Sequence, residues 1–279
     1  MKSLGIIITG ASGYIGSKLT EQLPPESVLI LDRNSLKNNK IIFYDLNGLV
    51  EENIESKFNQ FVFVHLATHF SKKEEDFKKI KNANIDFGVN LLEKLGHLNL
   101  KKIIYTNTMF TYYRDKKSRN FYYTKSKNHF SEILDKFCEN NNYLFDEIYL
   151  DNTFGGIDER KKILPLIKNS ILCKEPSPIL DPNANINLLY VDDVILRIKK
   201  SIFDDTSGKF SFVNKRAVNL TSIYNFLNHF YNSKVVEKDK LIFNENQYIN
   251  NFPKNEHFDF NITNLSDGLI KYLSETNNH

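Results

Sequence analysis

The sequence predicts an α/β fold, a doubly wound parallel sheet with a smaller C-terminal region attached. Three observations carry this prediction. Short apolar runs alternate with amphipathic helical patterns through the first half of the 279-residue chain. The connections between them are brief, as in a parallel sheet covered by helices on both faces. A glycine turn, Gly10-Ala11-Ser12-Gly13-Tyr14-Ile15-Gly16, stands between the first apolar run and the first helix.

The elements follow in order. Leu4 to Ile8 reads as a buried strand. Ile15, Leu19 and Leu23 then share one side of a helix, which Pro24-Pro25 stops. Val28 to Leu31 is a second run, ending at Asp32-Arg33. Ile41 to Tyr44 is a third, ending at Asp45-Leu46, and Phe61 to His65 is a fourth, followed by Leu66-Ala67-Thr68. Ile80, Ala83, Phe87, Leu91, Leu92 and Leu95 recur at helical spacing and predict one long helix. Ile103 to Thr106 is the fifth strand. A second long helix starts near Tyr122 and carries Phe130, Ile133, Leu134 and Phe137; Phe145 to Leu150 is the sixth strand. Beyond Asp151 the pattern loosens, with helices expected at Lys161 to Leu172, Asp192 to Phe203 and Thr221 to Tyr231.

Composition narrows the class. Hydrophobic residues at 41% and charged residues at 25% fit a packed globular chain and not a disordered one. A net charge of +3, with lysines spread along the chain, argues against a nucleic-acid partner. Cys138 and Cys173 make no disulfide framework, and no Cys/His spacing suggests a metal site. No charged leader precedes the first strand, and no apolar run approaches the ~20 residues of a membrane helix. The expectation is a cytoplasmic protein without a membrane partner.

The candidate functional residues fall at the C-terminal ends of the expected strands, where ligands bind in such sheets. Gly10, Gly13 and Gly16 let the backbone come close to a pyrophosphate, with Ser12, Tyr14 and Ile15 in the same turn. Asp32 stands where an acid binds the adenosine ribose hydroxyls, and Arg33 where a base holds a 2′-phosphate, so NADH and NADPH both remain open. Tyr123 and Lys127 lie four apart at a helix start and share one face. An ammonium beside a phenol is expected to lower the tyrosine pKa, and such a tyrosine can give a proton to a carbonyl oxygen. Thr108 follows strand five and can hydrogen-bond that same oxygen, with Thr106 and Asn107 as neighbours. His65 is expected to pack at its strand end. His69, Met109 and Phe110 are candidate substrate contacts, the last two as pocket wall.

Taken together, these residues resemble an extended short-chain dehydrogenase/reductase of the nucleotide-sugar-modifying kind, the NAD-dependent epimerase/dehydratase family. The Thr9 to Gly16 loop, Asp45-Leu46, His65-Leu66-Ala67, Asn84, Thr108 and Tyr123-Thr124-Lys125-Ser126-Lys127 stand in the family's order. So do Asn152-Thr153-Phe154-Gly155 and Tyr190-Val191-Asp192-Asp193. The resemblance implies a Rossmann fold, with Asp45 and Leu46 near adenine and Leu66, Ala67 and Thr68 along the cofactor. It implies that Asn84, Thr106 and Asn152 line the cofactor site, and that Thr108, Tyr123 and Lys127 are the catalytic trio. Residues 1–155 would form the NAD(P)-binding domain and 156–279 mainly the substrate-binding region, with segment 186–205 returning to the Rossmann core.

Within that family the chain is most similar to sugar 4-ketoreductases of the CDP-abequose synthase type. This similarity lies in His65-Leu66-Ala67-Thr68, Asn107-Thr108 followed by Phe110, and the Tyr123 helix with His129-Phe130 and Glu132-Ile133. It implies reduction of the 4-keto group of a nucleotide-linked deoxysugar for surface polysaccharide. A 4-epimerase that retains NAD uses the same trio, and a non-catalytic cofactor-binding protein is a further alternative. The acid–base pair that dehydratases carry after the catalytic threonine is replaced by Met109-Phe110. The arginine usual before Tyr190-Val191-Asp192-Asp193 is missing from Asn185-Ile186-Asn187-Leu188-Leu189; Lys161, Lys162, Arg216 and Asn152 are the candidates for substrate contact. The two long helices, near 76–96 and 122–138, resemble those that build a homodimer interface in this family.

Overall fold

The computed structural model describes residues 3–37, 40–45, 47–48, 50, 53–156, 158, 160–214, 216–236, 238–245, 247–249, 251–253 and 262–276. They divide into two compact units. The first is built from Met1–Tyr149 and Ile195–Ser211 with Asn251–Asn255; the second from Leu150–Val194, Phe212–Asn250 and Glu256–His279.

The first unit opens with β1 (Ser3–Thr9), α1 (Tyr14–Thr20) and β2 (Val28–Leu31). After β3 (Phe58–His65) come α2 (Phe77–Lys81), a π-helical turn (Asn82–Asp86) and α3 (Phe87–Leu95). Then follow β4 (Leu100–Thr108), a 3-10 turn (Met109–Tyr112), α4 (Tyr122–Asn141) and β5 (Leu144–Leu150).

The second unit takes up the chain with β6 (Asn152–Phe154), α5 (Ile163–Leu172), β7 (Asn185–Ile186) and β8 (Leu188–Tyr190). The helix α6 (Val191–Phe203) runs back into the first unit and is followed by β9 (Gly208–Phe212). The second unit then adds β10 (Arg216–Asn219), α7 (Leu220–Ser233), β11 (Phe243–Glu245) and α8 (Leu265–Thr276).

The central sheet runs β9-β5-β4-β3-β1-β2. The pairs β1–β2, β1–β3 and β3–β4 are parallel. This is the doubly wound sheet that the alternating runs predict. Residues such as Ile7, Phe63 and Ile103 fill its core with Leu91, Leu95, Phe130 and Leu134 from the helices. In the second unit β6 and β8 pair in parallel, and β11-β10-β7 form a small antiparallel sheet.

Four expectations are corrected. The run Ile41 to Tyr44 adds no strand to the central sheet. Leu36–Lys37 and Lys40–Ile41 pair as a small antiparallel hairpin, and Tyr44 meets Ile30 in an antiparallel bridge. The chain between Leu31 and Ile41 is too short for a parallel crossover, which takes about a dozen residues or more. The first helix ends at Thr20, short of Leu23, although Leu23 is buried. The single long helix is interrupted by the π turn, which carries the buried Asn84. The unit boundary falls at Tyr149–Leu150 and not after 155, because β6 pairs with β8; segment 186–194 stays in the second unit. Among the described residues no helix is long and apolar enough to cross a membrane.

A buried charge network ties α6 to the sheet. Lys102 on β4 is fully buried, and its Nζ bonds Asp146 of β5 (3.1 Å), the carbonyl of Ser201 (2.9 Å) and Asp204 (2.7 Å). Burial pushes the Asp146 carboxyl up, and the Lys102 charge opposes that push. Removing one partner strands an ion in the core, at about 3–5 kcal/mol. Lys102→Ala should therefore lower stability by about that amount, read as a fall in the urea midpoint.

Candidate active site

Parallel pairing puts the C-terminal ends of β1 to β4 along one edge of the sheet. The loops that leave this edge carry most of the predicted site residues. Thr9 pairs with His65 in register, so the glycine turn and the 66–69 loop start side by side.

The glycine turn fits a dinucleotide. Gly10 has φ +71, and a Cβ there would lie 2.8 Å from the Ala67 nitrogen. A Cβ on Gly16 would lie 2.0 Å from the Gly10 carbonyl oxygen. The turn closes with the Gly13 N–H donating to the Gly10 carbonyl at 2.9 Å. Ser12 and Gly13 are exposed, and Tyr14 and Ile15 half-buried. A loop this bare admits a phosphate against its backbone.

The buried Thr9 hydroxyl holds the cradle in place. Its oxygen accepts from the N–H groups of Leu66 and Ala67, each at 3.2 Å. With both lone pairs used, its proton goes to Nδ1 of His65 at 3.0 Å. His65 therefore carries its own proton on Nε2, among the rings of Phe63, Phe87, Tyr105 and Phe130. Burial, and then the Lys127 charge, lower its pKa to about 3. It is a neutral packed residue, as its strand-end position suggests.

Asp32 and Arg33 are both exposed in the turn after β2. Asp32 Oδ1 accepts from the Asn34 N–H at 2.7 Å, which fixes that turn. Asp45 Oδ1 accepts from Asn47 and Gly48 in the same manner (2.7 and 3.0 Å), so this oxygen serves its own turn. Leu46 lies outside the described residues.

Asn84 is a clamp. Its Oδ1 accepts from the Thr68 hydroxyl (3.1 Å) and the His69 N–H (2.7 Å). Its Nδ2 donates to the His69 carbonyl (3.2 Å) and to Ser126 Oγ on α4 (3.0 Å). Both amide atoms are engaged and the side chain is buried, so Asn84 ties the 66–69 loop to α4. The π turn aims it there. Thr68 also bonds the Tyr123 side chain. The His69 Nε2 is buried without a partner among the described residues.

Tyr123 and Lys127 lie on α4, the helix that Asn84 holds through Ser126. Thr108 caps the 3-10 turn, its Oγ1 accepting from the Phe110 N–H at 3.2 Å, which leaves its own proton to donate. Tyr123 is packed against Phe70 (ring centroids 4.9 Å) and Phe110 (6.5 Å). Burial raises its pKa to about 12, while the Thr68 bond pulls the other way. This corrects the expected lowering by Lys127: the phenol is kept protonated by its aromatic surroundings. Lys127 is itself buried, its Nζ 4.2 Å from the centroid of Tyr105. Burial lowers its pKa to about 7, against the pull of Glu147. Thr106 is buried along β4. Met109 is fully buried and is no pocket wall, because the 3-10 turn points it inward; Phe110 is the residue beside Tyr123.

Asn152 and Arg216 belong to the second unit. Asn152 Nδ2 donates to Asp151 (2.7 Å) and to the Asn187 carbonyl (3.2 Å). Arg216 donates to the Phe243 carbonyl at 2.9 Å and lies over that ring. Phe70 and Glu147 were not singled out from the sequence, and Thr9 and Ser126 entered there only as members of the family motifs. For Glu147 a signal existed: Asp146-Glu147 puts two acids inside an apolar strand.

Residues 6–202 match the NAD dependent epimerase/dehydratase family, and the chain belongs to it. It is an NAD(P)-dependent enzyme of the oxidoreductase type, of the nucleotide-sugar-modifying kind. Among curated proteins it is similar to the CDP-abequose synthases of Salmonella muenchen and Salmonella typhimurium. The first is 25% identical over 209 residues, 71% of either chain; the second is 26% identical over 204, 68% of this chain and 67% of the other. Its fold is that of the UDP-N-acetylglucosamine 4-epimerase of Methanobrevibacter ruminantium M1, with TM-score 0.72, 18% identity and 100% and 99% of the two chains covered. The UDP-glucuronic acid 4-epimerase of Bacillus cereus gives 0.73, 17%, 98% and 99%.

Lys127 makes stability depend on pH. Its folded pKa of about 7 lies below the ordinary 10.5, so between these values the unfolded chain binds more protons and stability rises with pH. Relative to Lys127→Met, the wild-type protein should gain up to about 1.4 kcal/mol per pH unit in that window. Urea unfolding of the two proteins at several pH values measures it.

Proposed function

We propose that this enzyme reduces the 4-keto group of a nucleotide-linked 4-keto-6-deoxy or dideoxy sugar, using NADPH or NADH. The observation that carries the reading is the setting of Tyr123, flanked by the rings of Phe70 and Phe110, the second of which donates its N–H to Thr108 Oγ1. Aromatic walls suit the deoxygenated carbons of such a sugar. Elimination of water would need an acid and a base, and after Thr108 come only the buried Met109 and the aromatic Phe110. The likeness to CDP-abequose synthases supports the same reading.

Bound NADPH or NADH, held by the Gly10–Gly16 turn, would supply a hydride to the carbonyl carbon. Tyr123 gives its phenolic proton to the carbonyl oxygen, so that C=O becomes CH–OH. Its high pKa keeps that proton in place at neutral pH. The Thr108 hydroxyl orients the oxygen by hydrogen bonding. Lys127 as ammonium stabilises the tyrosinate left behind. We further propose a homodimer in the cytoplasm, built on the α2–α3 and α4 helices and supplying surface polysaccharide; light scattering tests the assembly.

Incubated with a panel of nucleotide-linked 4-keto sugars, the protein should oxidise its reduced cofactor and form the 4-hydroxy sugar. Tyr123→Phe should lower kcat/KM by about 10²–10⁴ while cofactor affinity stays. Cofactor-binding protein that oxidises nothing with any panel member would overturn the reading. Stoichiometric NAD retained through purification, with interconversion of C4 epimers, would make it an epimerase.

A further inference from the structure

Glu147 lies in the middle of β5 and is fully buried, and the trio alone gives no reason for it. Side chains alternate along a strand, so Asp146 and Glu147 point to opposite faces of the sheet. Asp146 belongs to the Lys102 network. Glu147 faces the other way, towards the catalytic residues.

Its contacts are specific. Oε1 accepts from Asn107 Nδ2 at 2.6 Å. Asn107 Oδ1 in turn accepts the backbone N–H of Thr108 at 2.7 Å. Asn107 Nδ2 also reaches Asn128 on α4 at 3.3 Å, and Asn128 Oδ1 accepts from the Thr111 hydroxyl at 2.9 Å. Glu147 Oε2 forms an ion pair with Lys209 of β9 at 3.3 Å; Lys209 is half-exposed and also pairs with Asp135 at 2.6 Å. The Tyr149 side chain bonds both Glu147 and Tyr112. This carboxylate therefore links the backbone at Thr108 to α4 and to the protein surface.

We propose that Glu147 is a positioning residue for two members of the trio: through Asn107 it fixes the backbone of Thr108, and through the contact of Asn107 with Asn128 its carboxyl group is held next to the stretch of α4 that carries Lys127. The inference rests on the reading of Thr108, Tyr123 and Lys127 given above. Lys127 lies over the ring of Tyr105 from β4 and acts on His65 from β3, and Tyr123 stands one turn before it on the same helix. None of these brings a negative charge at neutral pH: His65 is neutral, and both phenols are raised by burial. Glu147 is the acid that acts on Lys127, and it opposes the effect of burial. Lys209 and Asp135 offset each other at the outer end of the chain of contacts.

Glu147→Gln tests this, because the amide keeps an acceptor for Asn107 and removes the charge. The first readout needs no substrate or cofactor: an NMR titration of the Lys127 side-chain amine in wild-type and variant protein. The midpoint should fall by about one pH unit in the variant, a tenfold change in the ratio of the two forms. Equal midpoints in two folded proteins would overturn the proposal. Glu147→Asp, which keeps the charge, should hold the wild-type midpoint, and a midpoint like that of the amide variant would also overturn it. In turnover with a substrate identified above, the alkaline limb of the kcat/KM profile should move to lower pH by the same amount, and acid-side kcat should stay within about threefold. A loss of rate that is uniform across pH would mark Glu147 as structural only. A shifted Lys127 midpoint in a protein that reduces no panel sugar supports the role of Glu147 and counts against the ketoreductase reading.

Discussion

One hydroxyl group, on Thr9, decides where the parts of the site lie. Parallel register sets Thr9 level with His65, and the hydroxyl ties the two strand ends through Leu66, Ala67 and the imidazole. The glycine turn is thereby held against the 66–69 loop so closely that a Cβ on Gly10 would strike it. That loop is gripped in turn by Asn84, which also holds Ser126 on the helix of Tyr123 and Lys127. Glycine turn and α4 are thus joined by a short series of bonds. Those of Thr9 to His65 and Leu66 and of Asn84 to Ser126 are buried, where a polar group left unpaired costs about 1–3 kcal/mol.

Two buried lysines show how differently one sheet can treat a charge. Lys102 has two carboxylates and two backbone carbonyls as direct partners, which fasten α6 to the strands. Lys127 has an aromatic face and a carboxylate that acts on it from β5. Burial leaves it near the midpoint of its titration at neutral pH. A group held this loosely detracts from stability, which is the common condition of residues kept for chemistry. Tyr123 is the complement: its aromatic walls keep it protonated, as a proton donor requires.

Much of this was legible in the chain because the signals are local. The glycine turn, the strand ends and the i, i+4 pair of Tyr123 and Lys127 depend on neighbours a few residues away. The missing strand at Ile41 to Tyr44 was legible in the short connection after Leu31, but a reading of apolar content alone passes over it. The π turn could not be foreseen, because it shifts the helical phase only where Asn84 must reach the 66–69 loop. Met109 and Phe110 look equivalent as apolar neighbours, and the 3-10 turn alone sends one inward and the other to Tyr123.

The sequence by itself determined the doubly wound sheet and the glycine turn after its first strand, because periodicity and spacing encode them directly, and the order of its motifs pointed to Thr108, Tyr123 and Lys127 as the proposed trio. Tertiary structure alone decided the protonation of that trio. Burial raises Tyr123, packed against Phe70 and Phe110, and lowers Lys127, which lies over Tyr105 and is pulled the other way by Glu147; all four of these neighbours are distant in the chain. A pKa reflects the solvent and charge around a group in space, and no spacing along a chain contains that.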